Sequence, residues 1–151
     1  MWDMSKNLGY AFDDDKYNRL VLLFEPTFAT YIDRLVQEKS ALFAGDRHFI
    51  GFYLDNELPF ASYQNADPLR GIDLKHFLSL PERYKAAREY AEKFMRDNGI
   101  ASTGVITKKN QEDFRGMVAD YYYQLTTATV RRYDKELSLI HISEPTRLRR
   151  I

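Results

Sequence analysis

The stretch HFIGFYLDNELPF, residues 48–60, decides which fold the sequence predicts. Residues 48–54 are mostly apolar or aromatic without helical spacing, which is typical of a strand that is buried on both faces. Asp55, Asn56 and Glu57 follow directly, and Pro59 prevents a simple continuation of the strand. The sequence therefore predicts one central strand whose carboxyl end carries two carboxylates and an amide.

Helical spacing surrounds this strand. It is predicted for segments beginning at Pro26 and ending near Gly45, for a short helix within residues 72–80, and for residues 81–98 and 110–133. Ordinary helix signals support these bounds, with Pro26 at a first helical position, Asp73 as an N-terminal cap and Gly99 as a stop. The run RLVLLF, residues 19–24, stays undecided between a strand and a buried connection.

A strand followed by helices is half of a repeating β/α unit. The predicted fold class is therefore α/β, an incomplete segment of a (β/α)8 barrel, mostly helical with one central strand ending in Asp-Asn-Glu. On the last helix the predicted core face comprises Phe114, Met117, Val118, Tyr121, Leu125, Ala128 and Val130.

Composition excludes several classes of function. The 151 residues include 22 basic and 22 acidic side chains and no cysteine. A balanced charge favours neither nucleic acid nor a membrane as a partner, and no apolar run approaches the roughly 20 residues that span a bilayer. Thiol catalysis and thiolate metal sites are excluded. No cofactor is predicted. No metal site is predicted either, because Asp46 and His48 would lie at the opposite end of the strand from Asp55 and Glu57.

Glu57 is the candidate catalytic residue. Aromatic neighbours in sequence, such as Tyr53 and Phe60, would desolvate its carboxylate, raise its pKa and make it a general acid near neutral pH. Asn56 would offer an amide hydrogen bond to a substrate hydroxyl, and Asp55 would bind substrate or support Glu57. The alternative is that Asp55, Asn56 and Glu57 form a polar turn without a catalytic role.

A family resemblance favours the catalytic alternative. HFIGFYLDNELPF, then DLKHFLSLP, REYAEKFMRDN and DFRGMVADYYYQLTTATVRRYDKE, resembles agarase-type and related β-galactosidase-like glycoside hydrolases of the large retaining (β/α)8 clan over most of residues 25–136. The resemblance implies that Asn56 and Glu57 close the fourth barrel strand, with Glu57 as the acid/base. It also implies a polysaccharide or oligosaccharide substrate and a secreted or periplasmic location, and leaves the oligomeric state open.

The two ends of the sequence suggest a fragment. Retaining hydrolysis needs a second carboxylate, the nucleophile, about 5–5.5 Å from the acid/base, and a whole barrel needs about 250 residues. We expect residues 1–136 to be part of the catalytic domain, without the nucleophile and inactive alone. Residues 137–147, LSLIHISEPTR, resemble the translation of a library-preparation adapter, so residues 137–151 are expected to be a non-native tail. The competing function is a non-catalytic helical interaction domain or an inactive relative.

Overall fold

The computed structural model describes residues 19–46, 48, 49, 51 and 72–133. These residues form four α-helices and three short 3-10 helices. The α-helices are α1 (Pro26–Leu42), α2 (Leu74–Leu78), α3 (Lys85–Asp97) and α4 (Lys108–Tyr133), and the 3-10 helices are Arg19–Phe24, Glu82–Tyr84 and Thr103–Val105. The tail, residues 137–151, lies outside the described residues.

The prediction of a central strand is wrong where the structure describes that segment. His48, Phe49 and Gly51 are in turn or irregular conformation, His48 is exposed, and no described residue belongs to a strand. A strand needs a neighbour to pair with its backbone N–H and C=O groups. The other short apolar run, residues 19–24, is a 3-10 helix and offers no such edge. The described fold is therefore helical, and the predicted α/β barrel segment is corrected.

Capping groups fix the starts of two helices: Asp73 is the predicted cap of α2, whereas α4 begins at Lys108, two residues before its predicted start at residue 110. Asp73 caps α2, since its carboxylate accepts a hydrogen bond of 3.0 Å from the His76 backbone N–H. Thr107 and Asn110 cap α4 reciprocally: the Asn110 N–H donates to the Thr107 hydroxyl at 3.2 Å, and the Thr107 N–H donates to the Asn110 side chain at 2.9 Å. This is the geometry of a capping box, with asparagine in place of glutamate.

Gly99 ends α3, as predicted, through a Schellman motif. The Gly99 N–H donates to the Arg96 carbonyl at 3.1 Å, and the Ile100 N–H donates to the Met95 carbonyl at 2.9 Å. The motif requires a left-handed residue after the cap, and Gly99 has φ of 63°.

A pair of glycine substitutions should have effects of opposite sign. A Cβ atom would meet nothing within 4 Å at Gly99 or at Gly116, so the effect of each substitution on the free energy of unfolding depends on backbone conformation alone. Gly99→Ala should lower the free energy of unfolding by about 1 kcal/mol, because alanine disfavours positive φ. Gly116→Ala, inside α4, should raise it by about 0.5–1 kcal/mol. Urea unfolding of both variants checks this, and a shift of the same sign in both would contradict it.

One hydrophobic core joins the helices. α1 packs against α4, and α2 packs against α3 and α4, while the backbone N–H of Leu74 donates to the Gln111 side chain at 2.7 Å. Within the run at residues 19–24, Leu22 and Leu23 are buried, as the predicted alternative of a buried connection requires. The core residues are Leu22, Leu23, Phe28, Ile72, Leu74, Phe77, Leu80, Tyr84, Ala87, Ala91, Phe94, Met95, Phe114, Val118 and Tyr122.

The buried face of α4 differs in part from the predicted one. Tyr122, rather than Tyr121, is buried, and Thr126 and Thr129 are buried where Ala128 was expected. Buried threonines are tolerated here because the Thr126 hydroxyl donates to the Tyr122 carbonyl at 2.8 Å, and Thr129 bonds the Leu125 carbonyl in the same way. The core face therefore follows a four-residue spacing that leaves Tyr121 near the surface.

The C-terminal end of α4 is linked to α1 by charge. An Arg132 guanidinium nitrogen lies 2.7 Å from the Asp33 carboxylate, 99 residues away in sequence. Among the described residues, no helix is both long enough and apolar enough to cross a membrane.

Candidate binding groove

The predicted catalytic and substrate-binding residues, Glu57, Asn56 and Asp55, lie outside the described residues. Of the other polar residues considered from sequence, Asp46 accepts a hydrogen bond of 2.8 Å from the His48 backbone N–H, which is a local turn contact. His76, on α2, is half-buried.

The described residues form an open groove of about 510 Å³ at the surface where α3 and α4 meet the first 3-10 helix. The side chains that line it are Phe24, Ala86, Glu89, Tyr90, Glu92, Lys93, Arg96 and Tyr121.

Three aromatic rings form the apolar floor of the groove, and we call Phe24, Tyr90 and Tyr121 the aromatic cluster. Phe24 stacks on Tyr121 with ring centroids 5.4 Å apart and planes 11° from parallel, and it lies 4.2 Å from the Tyr90 ring. The two tyrosine centroids are 5.7 Å apart. Phe24 also meets the edge of Phe77, at 6.2 Å, which anchors the cluster to the core. The contact with Phe77 thus connects the cluster to the core, while Tyr121 stays 37% exposed.

Spacing along α3 explains why Tyr90 reaches the groove. Ala87, Ala91 and Phe94 face the core, and Ala86 and Tyr90 lie beside that face. A tyrosine at the edge of an apolar stripe can bury its ring and keep its hydroxyl near water.

Four charges surround the aromatic cluster, and we call Glu89, Glu92, Lys93 and Arg96 the charged rim. Three of them are in pairs along α3 itself. Glu89 lies 3.7 Å from the Lys85 ammonium, Glu92 lies 3.8 Å from Arg88, and Lys93 pairs with Asp97. Such exposed i,i+4 pairs contribute little to stability, so the rim side chains can exchange partners.

The environment of Tyr90 makes the stability of the fold depend on pH. Burial raises the pKa of the Tyr90 hydroxyl above its ordinary value of 10.0, and Tyr121 and Asp120 raise it further. The unfolded chain therefore loses this proton first, so we expect the free energy of unfolding to fall as the pH rises from 10 towards the folded pKa. Below pH 10 the contribution is fully present.

Tyr90→Phe should lessen this alkaline loss of stability. Urea unfolding at several pH values checks the slope. Part of the slope should remain in the variant, because burial and the hydrogen bond to Asp33 also raise the pKa of Tyr133. An unchanged slope in Tyr90→Phe would contradict the assignment to Tyr90.

The sequence pattern predicts Tyr121 on an apolar helix face, places Tyr90 within the helix predicted at residues 81–98, and leaves the run that contains Phe24 undecided. It does not bring the three residues together. A signal was present in the sequence, since Tyr90 stands between charged residues in REYAEK. Only the packing of α3 on α4 shows that three rings converge.

Comparison with known proteins adds no family assignment. No protein-family model matches the chain, and no curated protein or solved structure is significantly similar to it. In the part of the chain that the structure describes, no three histidine, aspartate or glutamate side chains gather as metal ligands would. The aromatic cluster and the charged rim are therefore the features on which a function can be argued.

Proposed function

We propose that the chain is a non-catalytic helical interaction domain that binds a protein partner at the groove. The observation that carries this proposal is the aromatic cluster, which is partly exposed in a groove of about 510 Å³ although the same helices bury other rings fully. Partly exposed tyrosines at the centre of a depression are typical of the residues that contribute most to protein interfaces.

The cluster is also preorganised. Phe24, Tyr90 and Tyr121 come from three separate elements, and contacts between their rings limit each ring's motion. Binding to a rigid site loses less conformational entropy than binding to a mobile one. The surrounding rim carries both signs of charge, which favours a peptide or protein surface over a strongly charged polymer such as nucleic acid.

Selection of binding peptides from a displayed random library tests the proposal. We expect selected peptides to lose at least about tenfold in affinity when Tyr121→Ala removes one central ring. The matched control is Gln124→Ala, an exposed change on the same helix. Equal binding to Tyr121→Ala and Gln124→Ala, or the absence of any binding peptide, would contradict an interaction role for the groove.

The second candidate function is that of a retaining glycoside hydrolase acting on polysaccharide, with Glu57 as acid/base and Asn56 and Asp55 binding substrate. The specific observation in its favour is the sequence IGFYLDNELPF, which resembles the agarase-type hydrolases. Residues 55–57, on which this candidate rests, lie outside the described residues. It requires a second carboxylate outside the matched segment.

A further inference from the structure

The charges of the rim are segregated along α3. Glu89 and Glu92 lie on the N-terminal side of the groove, and Lys93 and Arg96 lie on the C-terminal side. The groove therefore has an acidic half and a basic half, with Tyr90 and Tyr121 beside them.

A surface with this pattern is complementary to itself. When two identical helices lie antiparallel about a two-fold axis, the N-terminal half of each faces the C-terminal half of the other. With the axis near the middle of α3, Glu89 of one copy approaches Lys93 or Arg96 of the other. With the axis between residues 92 and 93, Glu89 faces Arg96 and Glu92 faces Lys93, so this register pairs all four rim charges with opposite ones.

We propose that the groove binds the same groove of a second copy of this chain, with the two α3 helices antiparallel. This inference rests on the proposed interaction function and names its partner. The aromatic clusters of the two copies would supply the apolar centre, and the charged rims would set the orientation. The i,i+4 pairs within α3 compete only weakly, because they are exposed and loose: the Glu89 carboxylate lies 3.7 Å from the Lys85 ammonium.

The dimer is expected to be weak. Stable complexes bury about 800 Å² on each partner, supplied by about 20–30 residues a side. The groove has eight lining residues. Association should therefore depend on protein concentration, and small changes in the rim should shift it measurably.

Sedimentation velocity of the full chain over a wide concentration range tests the inference. One variant, Glu89→Lys with Glu92→Lys, makes the rim basic throughout, and a second, Lys93→Glu with Arg96→Glu, makes it acidic throughout. We expect the dissociation constant of each homodimer to rise at least about tenfold, because like charges now face each other. An equimolar mixture of the two variants should form a one-to-one heterodimer.

Two further variants control for indirect effects. Lys108→Glu with Lys109→Glu reverses the same number of basic charges at the exposed start of α4, away from the groove, and should leave the dimer unchanged. Tyr121→Ala keeps all rim charges and should weaken the dimer through the aromatic cluster. If far-UV circular dichroism shows that a rim variant has lost its helices, Tyr121→Ala serves in its place as the test of the dimer.

Three results would overturn the inference. A chain that stays monomeric at every concentration excludes self-association, while groove-dependent binding of library peptides would leave the proposed function standing. A dimer that neither rim variant weakens forms through another surface. Rim variants that dissociate alone but do not pair with each other exclude the antiparallel arrangement.

Discussion

Replacing Phe114 with alanine should lower the free energy of unfolding by about 3–5 kcal/mol, the usual effect of removing a buried aromatic ring. Phe114 is fully buried. Its ring meets Phe77 at 5.2 Å and Phe94 at 5.3 Å, both in edge-to-face geometry, so its loss leaves a cavity where α2, α3 and α4 meet. Domains of this size are stable by only about 5–15 kcal/mol. The variant should therefore be only marginally folded.

Urea unfolding followed by far-UV circular dichroism measures this effect. The control is Val105→Ala, because Val105 is 57% exposed and should change stability by less than about 0.5 kcal/mol. A similar loss in both variants would mean that the described core does not hold the helices together. Loss confined to Phe114→Ala would support the packing of α2 and α3 against α4.

Glu57→Gln should reduce hydrolysis of unactivated glycosides by about 10²–10⁴-fold if the second candidate function is correct. The measurement is made on a protein that carries both Glu57 and the second carboxylate. Glutamine preserves the shape of the glutamate but cannot donate the proton that a poor leaving group needs. Activated aryl glycosides need little proton assistance, so their first step should be retained, and azide should restore turnover by attacking the covalent intermediate.

Asn56→Ala provides the comparison for this experiment. Loss of an orienting amide should weaken transition-state binding for every substrate, whatever its leaving group. Equal loss on activated and unactivated substrates in Glu57→Gln, without an azide product, would remove Glu57 from the acid/base role. Asp55, Asn56 and Glu57 would then be a polar turn, as the interaction-domain proposal requires.

The candidate site depends on tertiary structure, whereas the helices depend mainly on local sequence. Tyr90 and Tyr121 are 31 positions apart in sequence, and nothing in either helix pattern indicates that their rings meet. The sequence predicts Tyr121 on the core face of α4 because a broad apolar stripe can include either of two neighbouring aromatic residues. The core side chains of the other elements determine which positions of α4 are buried, and these are the four-residue series through Phe114, Val118 and Tyr122.

The sequence by itself determined most of the helices and two of their ends. Asp73 and Gly99 act through hydrogen bonds to residues within four positions, so a local pattern contains the whole interaction. The tertiary structure decided that residues 48, 49 and 51 do not form a strand, since a strand exists only when a distant segment pairs with its backbone groups. It also decided the groove, because convergence of side chains from three elements is a property of packing and not of any one segment.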